Sequence, residues 1–135
     1  MSATTTPKTD LVAKGIGASP GIATGQIVFK SEDAVALSEK GSAVILVRIE
    51  ATADDVPGMR VAAGILTTRG GLTGDAAVVA RSLGKPCIAQ CAPLRVDYVA
   101  ETLTLWRDSD GDEPDIVLAR GDVITIDGGR GEVFR

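Results

Sequence analysis

Ser42 to Val47 reads SAVILV, an apolar run without alternation, suited to a strand buried on both faces. The core around such a strand must be aliphatic, since hydrophobic residues make up 44% of the chain and aromatics only 3%. With 16 glycines added, that mixture favours a compact α/β or β-rich domain over a helical bundle. A chain of 135 residues is long enough to bury a core without staples, and residues 11–135 are expected to form one domain.

The flanking segments read as follows. Residues 1–10, MSATTTPKTD, are small, polar and proline-containing, and are expected to form a flexible tail. Ser19-Pro20-Gly21 is a tight-turn sequence, and Gln26 to Phe29 a strand. Ser31 to Glu39 opens on a good N-cap residue followed by two acids, the signature of a short helix. Thr52 can cap a helical turn, so Glu50, Asp54 and Asp55 are assigned to a helix start rather than to catalysis. Gly64 to Thr68 and PCIAQC are further strands, and residues 94–106 alternate well enough for a strand or a hairpin. The chain closes in strands punctuated by Arg120-Gly121-Asp122 and Asp127-Gly128-Gly129. The Arg-Gly-Asp tripeptide is read as a turn.

Several function classes drop out on composition. The net charge is −4 and no run of Lys or Arg occurs, so a sequence-independent grip on nucleic acid is excluded. No apolar run approaches the ~20 residues that span a bilayer, and no signal peptide opens the chain, which points to a cytoplasmic protein. Cys87 and Cys91 have no histidine or further cysteine to complete a metal set, so no metal or cofactor is expected and the thiols read as a reduced, buried pair. In the acidic loop 107–115, Asp108, Asp110 and Asp112 are spaced like the start of a calcium loop. The closing glutamate and the flanking helices are missing, so a solvated loop is expected. Most decisive is the absence of histidine, which removes Ser-His-Asp and Cys-His nucleophile systems, a histidine base and a phosphohistidine together.

One stretch remains, TTRGGLTGDAAVVARSLGKPC from Thr67 to Cys87. It reads as a strand end, a double glycine and a helix from Asp75 to Leu83, closed by Gly84 and Pro86. The helix start would present a side chain beside unpaired N–H groups, a setting proteins use for phosphate chemistry. Asp75 stands there, able to cap the helix through the amides of Ala77 or Val78, to accept a phosphoryl group as an acyl phosphate, or to serve another ligand. Arg69 is either a solvated charge or an anion contact.

Three stretches in order resemble the mobile, or swivelling, domain of phosphoenolpyruvate-utilising enzymes, the central domain of pyruvate phosphate dikinase above all. They are KGIGASPGIATGQIVF, AVILVRIEATADDVPGMRVAAGILTTRGGLTGDAAVVARSLGKPCIAQC and GDVITIDGGRGEV. The likeness covers about residues 12–106 and resumes near 116–135, with the acidic loop unmatched. It implies a swivelling β/β/α fold, a layered α/β domain with a β-sandwich-like core and flanking helices. It also implies phosphoryl transfer by a histidine in a Gly-Gly-Met-Thr-Ser-His-Ala-Ala-Val-Val-Ala-Arg motif. Here that motif runs from Gly70 to Arg81, with Asp75 in the histidine position and Gly74 in place of the serine before it. Thr73 stands where some dikinases carry a regulatory phosphorylation. Arg69, Gly70, Gly71, Thr73 and Gly74 are the residues expected to contact an anion or a partner. The expected function is a binding or regulatory module, its partner a phosphoenolpyruvate-utilising enzyme or a regulator of one; the alternative is a phosphoryl carrier acting in trans through Asp75.

Overall fold

The computed structural model describes residues 10–72, 74–107 and 111–135. The expected tail up to residue 9, Thr73, and Asp108 and Asp110 of the calcium-like spacing lie outside the described residues. In chain order the elements are β1 (Leu11–Lys14), β2 (Ile16–Ser19), β3 (Ile22–Val28), α1 (Ser31–Glu39), β4 (Val44–Arg48), α2 (Val56–Val61) and β5 (Gly64–Thr67). Then follow α3 (Asp75–Leu83), β6 (Cys87–Ala89), β7 (Leu94–Asp97), β8 (Thr102–Leu105), β9 (Ile116–Ala119), β10 (Val123–Asp127) and β11 (Glu132–Phe134). A 3-10 turn, Ala53–Asp55, leads into α2.

Eight strands form one sheet in the order β1-β11-β10-β3-β4-β5-β6-β2, and β7-β8-β9 form a second. The centre of the large sheet, β3 to β6, is parallel. Parallel neighbours need a crossover, and each of these three links carries a helix. Adding strands always in one direction with right-handed crossovers puts all the helices on one face.

The alternation of side chains across the large sheet defines the layers. Val44 and Leu46 of β4, Ile65 of β5, and Cys87 and Ala89 of β6 pack with Ala34, Met59, Ala77 and Ala80 of the helices. Their neighbours Ile45, Val47, Leu66 and Ile88 turn the other way, onto Leu94, Leu103, Leu105, Ile116 and Leu118 of the small sheet. The run SAVILV is therefore buried on both faces because helices cover one and a second sheet the other. The small sheet is covered on one face only, and β9 accordingly alternates buried Ile116 and Leu118 with exposed Val117 and Ala119. The expected swivelling β/β/α architecture is the observed one.

One closure holds the large sheet in shape. β1 and β2 are separated by Gly15 alone, yet stand at opposite ends of the strand order. The chain crosses there from one edge to the other, with the Gly15 N–H donating to the carbonyl of Gly131 at 2.7 Å. The edges meet so closely that a Cβ on Gly17 would lie 2.6 Å from the carbonyl oxygen of Gly128.

Several local expectations change. The cap of α1 lies one residue before the anticipated Ser31: Lys30 is its N-cap, and the Lys30 carbonyl takes the N–H groups of Asp33 and Ala34. Ser31 instead spends its hydroxyl on α2, accepting the Gly58 N–H at 2.7 Å. β3 begins at Ile22 rather than Gln26, because its partner β10 pairs along the whole length from Val123 to Asp127. Residues 94–106 form the hairpin β7-β8, with the Asp97 carboxylate accepting the N–H groups of Val99 and Ala100 in its turn. Arg120-Gly121-Asp122 is a turn, as read. Gly121 has φ of 92°, the Asp122 carboxylate accepts the Ala119 N–H, and Arg120 pairs with Asp33 and Glu101.

Candidate functional site

Ligand sites in open parallel sheets lie outside the carboxyl ends of the strands, and the Thr67–Cys87 stretch is placed there. The buried hydroxyl of Thr67 donates to the Arg69 carbonyl at 2.9 Å and turns the chain out of β5. The next two N–H groups return to the end of β4, Thr68 to the Arg48 carbonyl and Arg69 to that of Ile49. Gly70 has φ of +81°, which a side chain would strain. The Gly74 N–H then donates to the Gly71 carbonyl at 3.1 Å, closing the loop just before α3.

Gly74 is the N-cap of α3, extended at φ −69° and ψ 161°, and its carbonyl accepts the Val78 N–H at 3.0 Å. Asp75 therefore occupies the first helical position, and the expectation that it caps the helix is corrected. Among the described residues nothing donates to its exposed carboxylate. At that position the charge still lies in the positive end of the helix dipole. Ala76, Ala77 and Ala80 bury the inner face of α3. Arg81, in the last turn, reaches back to donate to the carbonyls of Ala18 (3.1 Å) and Leu72 (2.5 Å), tying the loop to β2. Gly84 ends the helix in the left-handed region, φ +70°.

The fold gathers Asp75, Arg69, Gly70, Gly71 and Gly74 around one narrow crevice; Thr73 lies outside the described residues. Glu50, assigned above to a helix start, lines the same crevice, because the helical turn begins only at Thr52. Asp55 does serve that start: its carboxylate accepts the Thr52 N–H at 2.9 Å and pairs with Arg48 at 3.2 Å. The pairing of Glu50 with Asp75 comes from the packing of two loops and has no sequence signal, and the same holds for Gln90, beside Gly71 with a left-handed φ of 51°. The tie made by Arg81 leaves one trace in the sequence, a basic residue in the last turn of α3.

No group of three or more His, Cys, Asp or Glu that could hold a metal ion occurs among the described residues. No helix among them is long and apolar enough to cross a membrane. Cys87 and Cys91 are free and buried, and belong to the packing clusters on opposite faces of the large sheet. Burial pushes both thiols up to about 12, the Arg81 charge pulling slightly the other way at Cys87. A folded value above the unfolded one stabilises the protein below the unfolded value, and that stability is lost as pH climbs toward the folded value. Stability is expected to fall by roughly 1.4 kcal/mol per pH unit for each thiol above about pH 9. Urea midpoints at about pH 8 and pH 10.5 measure it. A Cys87→Ala, Cys91→Ala variant should show a shallower decline; an equally steep one would assign the alkaline loss elsewhere.

Comparison with known proteins bears on the same segments. The family model "PEP-utilising enzyme, mobile domain" matches residues 40–131. Pyruvate, phosphate dikinase of Rhizobium meliloti (strain 1021) is 48% identical over 126 residues, covering 93% of this chain and 13% of the relative. Pyruvate, phosphate dikinase 1, chloroplastic, of Arabidopsis thaliana is 49% identical over 124 residues, 92% of this chain and 12% of the relative. The chain thus spans about an eighth of the length of these relatives. An NMR solution structure of Enzyme I overlaps 73% of this chain and 32% of its own at a TM-score of 0.46 and 22% identity. With the family model covering most of the chain, from residue 40 to the last turn at residue 131, this chain belongs to the mobile-domain family of PEP-utilising enzymes.

Proposed function

We propose that this chain is a mobile domain that carries no phosphohistidine and works as a binding or regulatory module toward a phosphoenolpyruvate-utilising enzyme or its regulator. One observation carries the reading: a chain without a single histidine has an exposed aspartate, Asp75, in the place where the family resemblance expects the phosphoryl carrier. Apart from Leu72 and Gly74, the rest of that segment from the double glycine to Arg81 keeps the family motif. Among its described residues the loop is tied by the Gly74 N–H to the Gly71 carbonyl and by Arg81 to the carbonyls of Ala18 and Leu72. Residues 11–135 act as one domain in this reading, in a cytoplasmic setting that suits two free thiols.

The chemistry favours loss of the carrier over a change of carrier. A carboxylate attacking a phosphoryl group brings two anions together, and aspartyl-phosphate enzymes offset this with Mg²⁺ held by further acids. Glu50 is a second carboxylate at the crevice, which gives the acyl-phosphate reading its one specific support.

The test is to incubate the protein with a pyruvate phosphate dikinase and either phosphoenolpyruvate or ATP, then measure association and intact mass. Association without mass gain is expected. A hydroxylamine-labile gain of one phosphate, absent in Asp75→Asn, would establish the carrier reading instead; neither association nor gain would remove both. Reversion by Asp75→His with Gly74→Ser is expected to restore acceptance of phosphate. A Cβ on Gly74 would meet the Gly71 carbonyl oxygen at 3.3 Å, so the serine fits after a shift of a few tenths of an ångström.

A further inference from the structure

Beside the Asp75 crevice lies a second, wider concavity of about 430 Å³, between the loop after β5 and the strand β7. That size is ordinary for a small-molecule site, which typically falls in the range of roughly 300–1,000 Å³. Its charged lining residues are Arg69 and Arg95, and no acid is among them. In a chain with 18 acidic and 14 basic residues, this concavity is lined by two arginines and no carboxylate, while Arg69 also borders the crevice lined by Glu50 and Asp75.

Among the described residues neither guanidinium is paired with a carboxylate. Arg69 is exposed, and only its backbone is engaged, through the Ile49 carbonyl and the Thr67 hydroxyl. Arg95 lies over the ring of Trp106, its guanidinium carbon 4.4 Å from the centroid. Such stacking fixes the plane of the guanidinium while leaving its N–H edge open to an incoming anion. The ring itself is held, since Trp106 Nε1 donates to the Thr104 hydroxyl at 2.9 Å. The remaining lining is apolar apart from Thr68: Ile49, Ala92 and Val96 supply hydrocarbon surface.

We propose that this pocket binds a small organic anion, its phosphate or carboxylate held between Arg69 and Arg95 and its carbon body lying on Ile49, Ala92 and Val96. Planar guanidinium groups present paired donors that match either oxyanion. Because Arg69 also lines the crevice of Asp75, the bound anion sits next to the position of the missing carrier and changes the charge that a docking partner meets. This assignment rests on the pocket and holds whether or not the chain docks on a dikinase.

The protein supplies its own reporter, because Trp106 is its single tryptophan and is in contact with Arg95. Phosphoenolpyruvate, which carries both anionic groups, is titrated at low salt against Trp106 emission and by calorimetry, with pyruvate and inorganic phosphate as separate arms. Saturable binding of phosphoenolpyruvate is expected, with a dissociation constant of about 1 mM or tighter. If pyruvate alone reproduces it, the carboxylate is the recognised group; if inorganic phosphate does, the phosphate is. Arg69→Gln and Arg95→Gln, the latter followed by calorimetry, should each weaken binding at least tenfold. Arg60→Gln on α2 removes an exposed charge outside this pocket and should leave binding unchanged. No saturation by any of the three probes overturns the assignment, as does equal weakening by Arg60→Gln. Partner association is measured separately on the enzyme mixture, so either proposal can fail without the other.

Discussion

Gly128→Ala is expected to destabilise the fold by at least several kcal/mol, and to leave little folded protein at ambient temperature. A Cβ at this position would lie 1.9 Å from the carbonyl oxygen of Ser19 and 2.8 Å from the backbone nitrogen of Cys87. Both are backbone atoms of strands that close the large sheet, so no side chain can rotate away to make room. Overpacking a core ordinarily costs ~1–3 kcal/mol because side chains and backbone share the strain; here the backbone of two strands must move apart. The neighbouring glycine is the control. A Cβ on Gly129 meets only the Asp127 carboxylate, at 3.5 Å, so Gly129→Ala should stay within about 0.5 kcal/mol of the parent. Urea unfolding of the two variants decides the matter, and similar midpoints would mean that the strand closure at β2 and β6 is looser than described.

The contrast also marks what the amino-acid sequence could disclose. Asp127-Gly128-Gly129 was readable as a turn, and the Asp127 carboxylate does accept the N–H groups of Gly129 and Arg130. That Gly128 touches Ser19, more than a hundred residues earlier, depends on the closure of the sheet and leaves no local trace. Helix α3 was legible to the residue because Gly84 stops it and a glycine pair precedes it, both local effects. Its cap was not, since Gly74 and Asp75 compete for one position and the backbone angles of a glycine are not written in its identity. The likeness in the Gly70 to Arg81 segment singled out Asp75, whereas Glu50 and Arg95 reach their places through β4 and β7 and could be found only by folding the chain. The same is true of the cysteines. Four positions apart, they read as a pair, but they belong to packing clusters on opposite faces of the large sheet.

Asp55→Ala should cost roughly 3–5 kcal/mol, the range for removing one partner of a buried ion pair. The Asp55 side chain is 5% exposed and its partner Arg48 22%. One carboxylate oxygen accepts from Arg48 Nε and from the N–H of Thr52 at the start of the helical turn. Alanine leaves that N–H without its acceptor and the guanidinium without its counter-charge. Two contacts soften the loss: Arg48 also donates to the Phe29 carbonyl at 2.7 Å and stacks on Tyr98 at 4.5 Å. The Tyr98 hydroxyl in turn accepts the Ile49 N–H at 2.6 Å, so the pair anchors the segment that leads to Glu50 at the crevice. Because desolvating two charges offsets much of their attraction, replacing both by apolar residues is expected to cost far less than the sum of the single changes. In a cycle of Asp55→Leu, Arg48→Met and the double variant, the double should recover at least 1 kcal/mol of that sum in urea midpoints. Strict additivity would show that Arg48 is held by Phe29 and Tyr98 alone, and that Asp55 acts only through the Thr52 N–H.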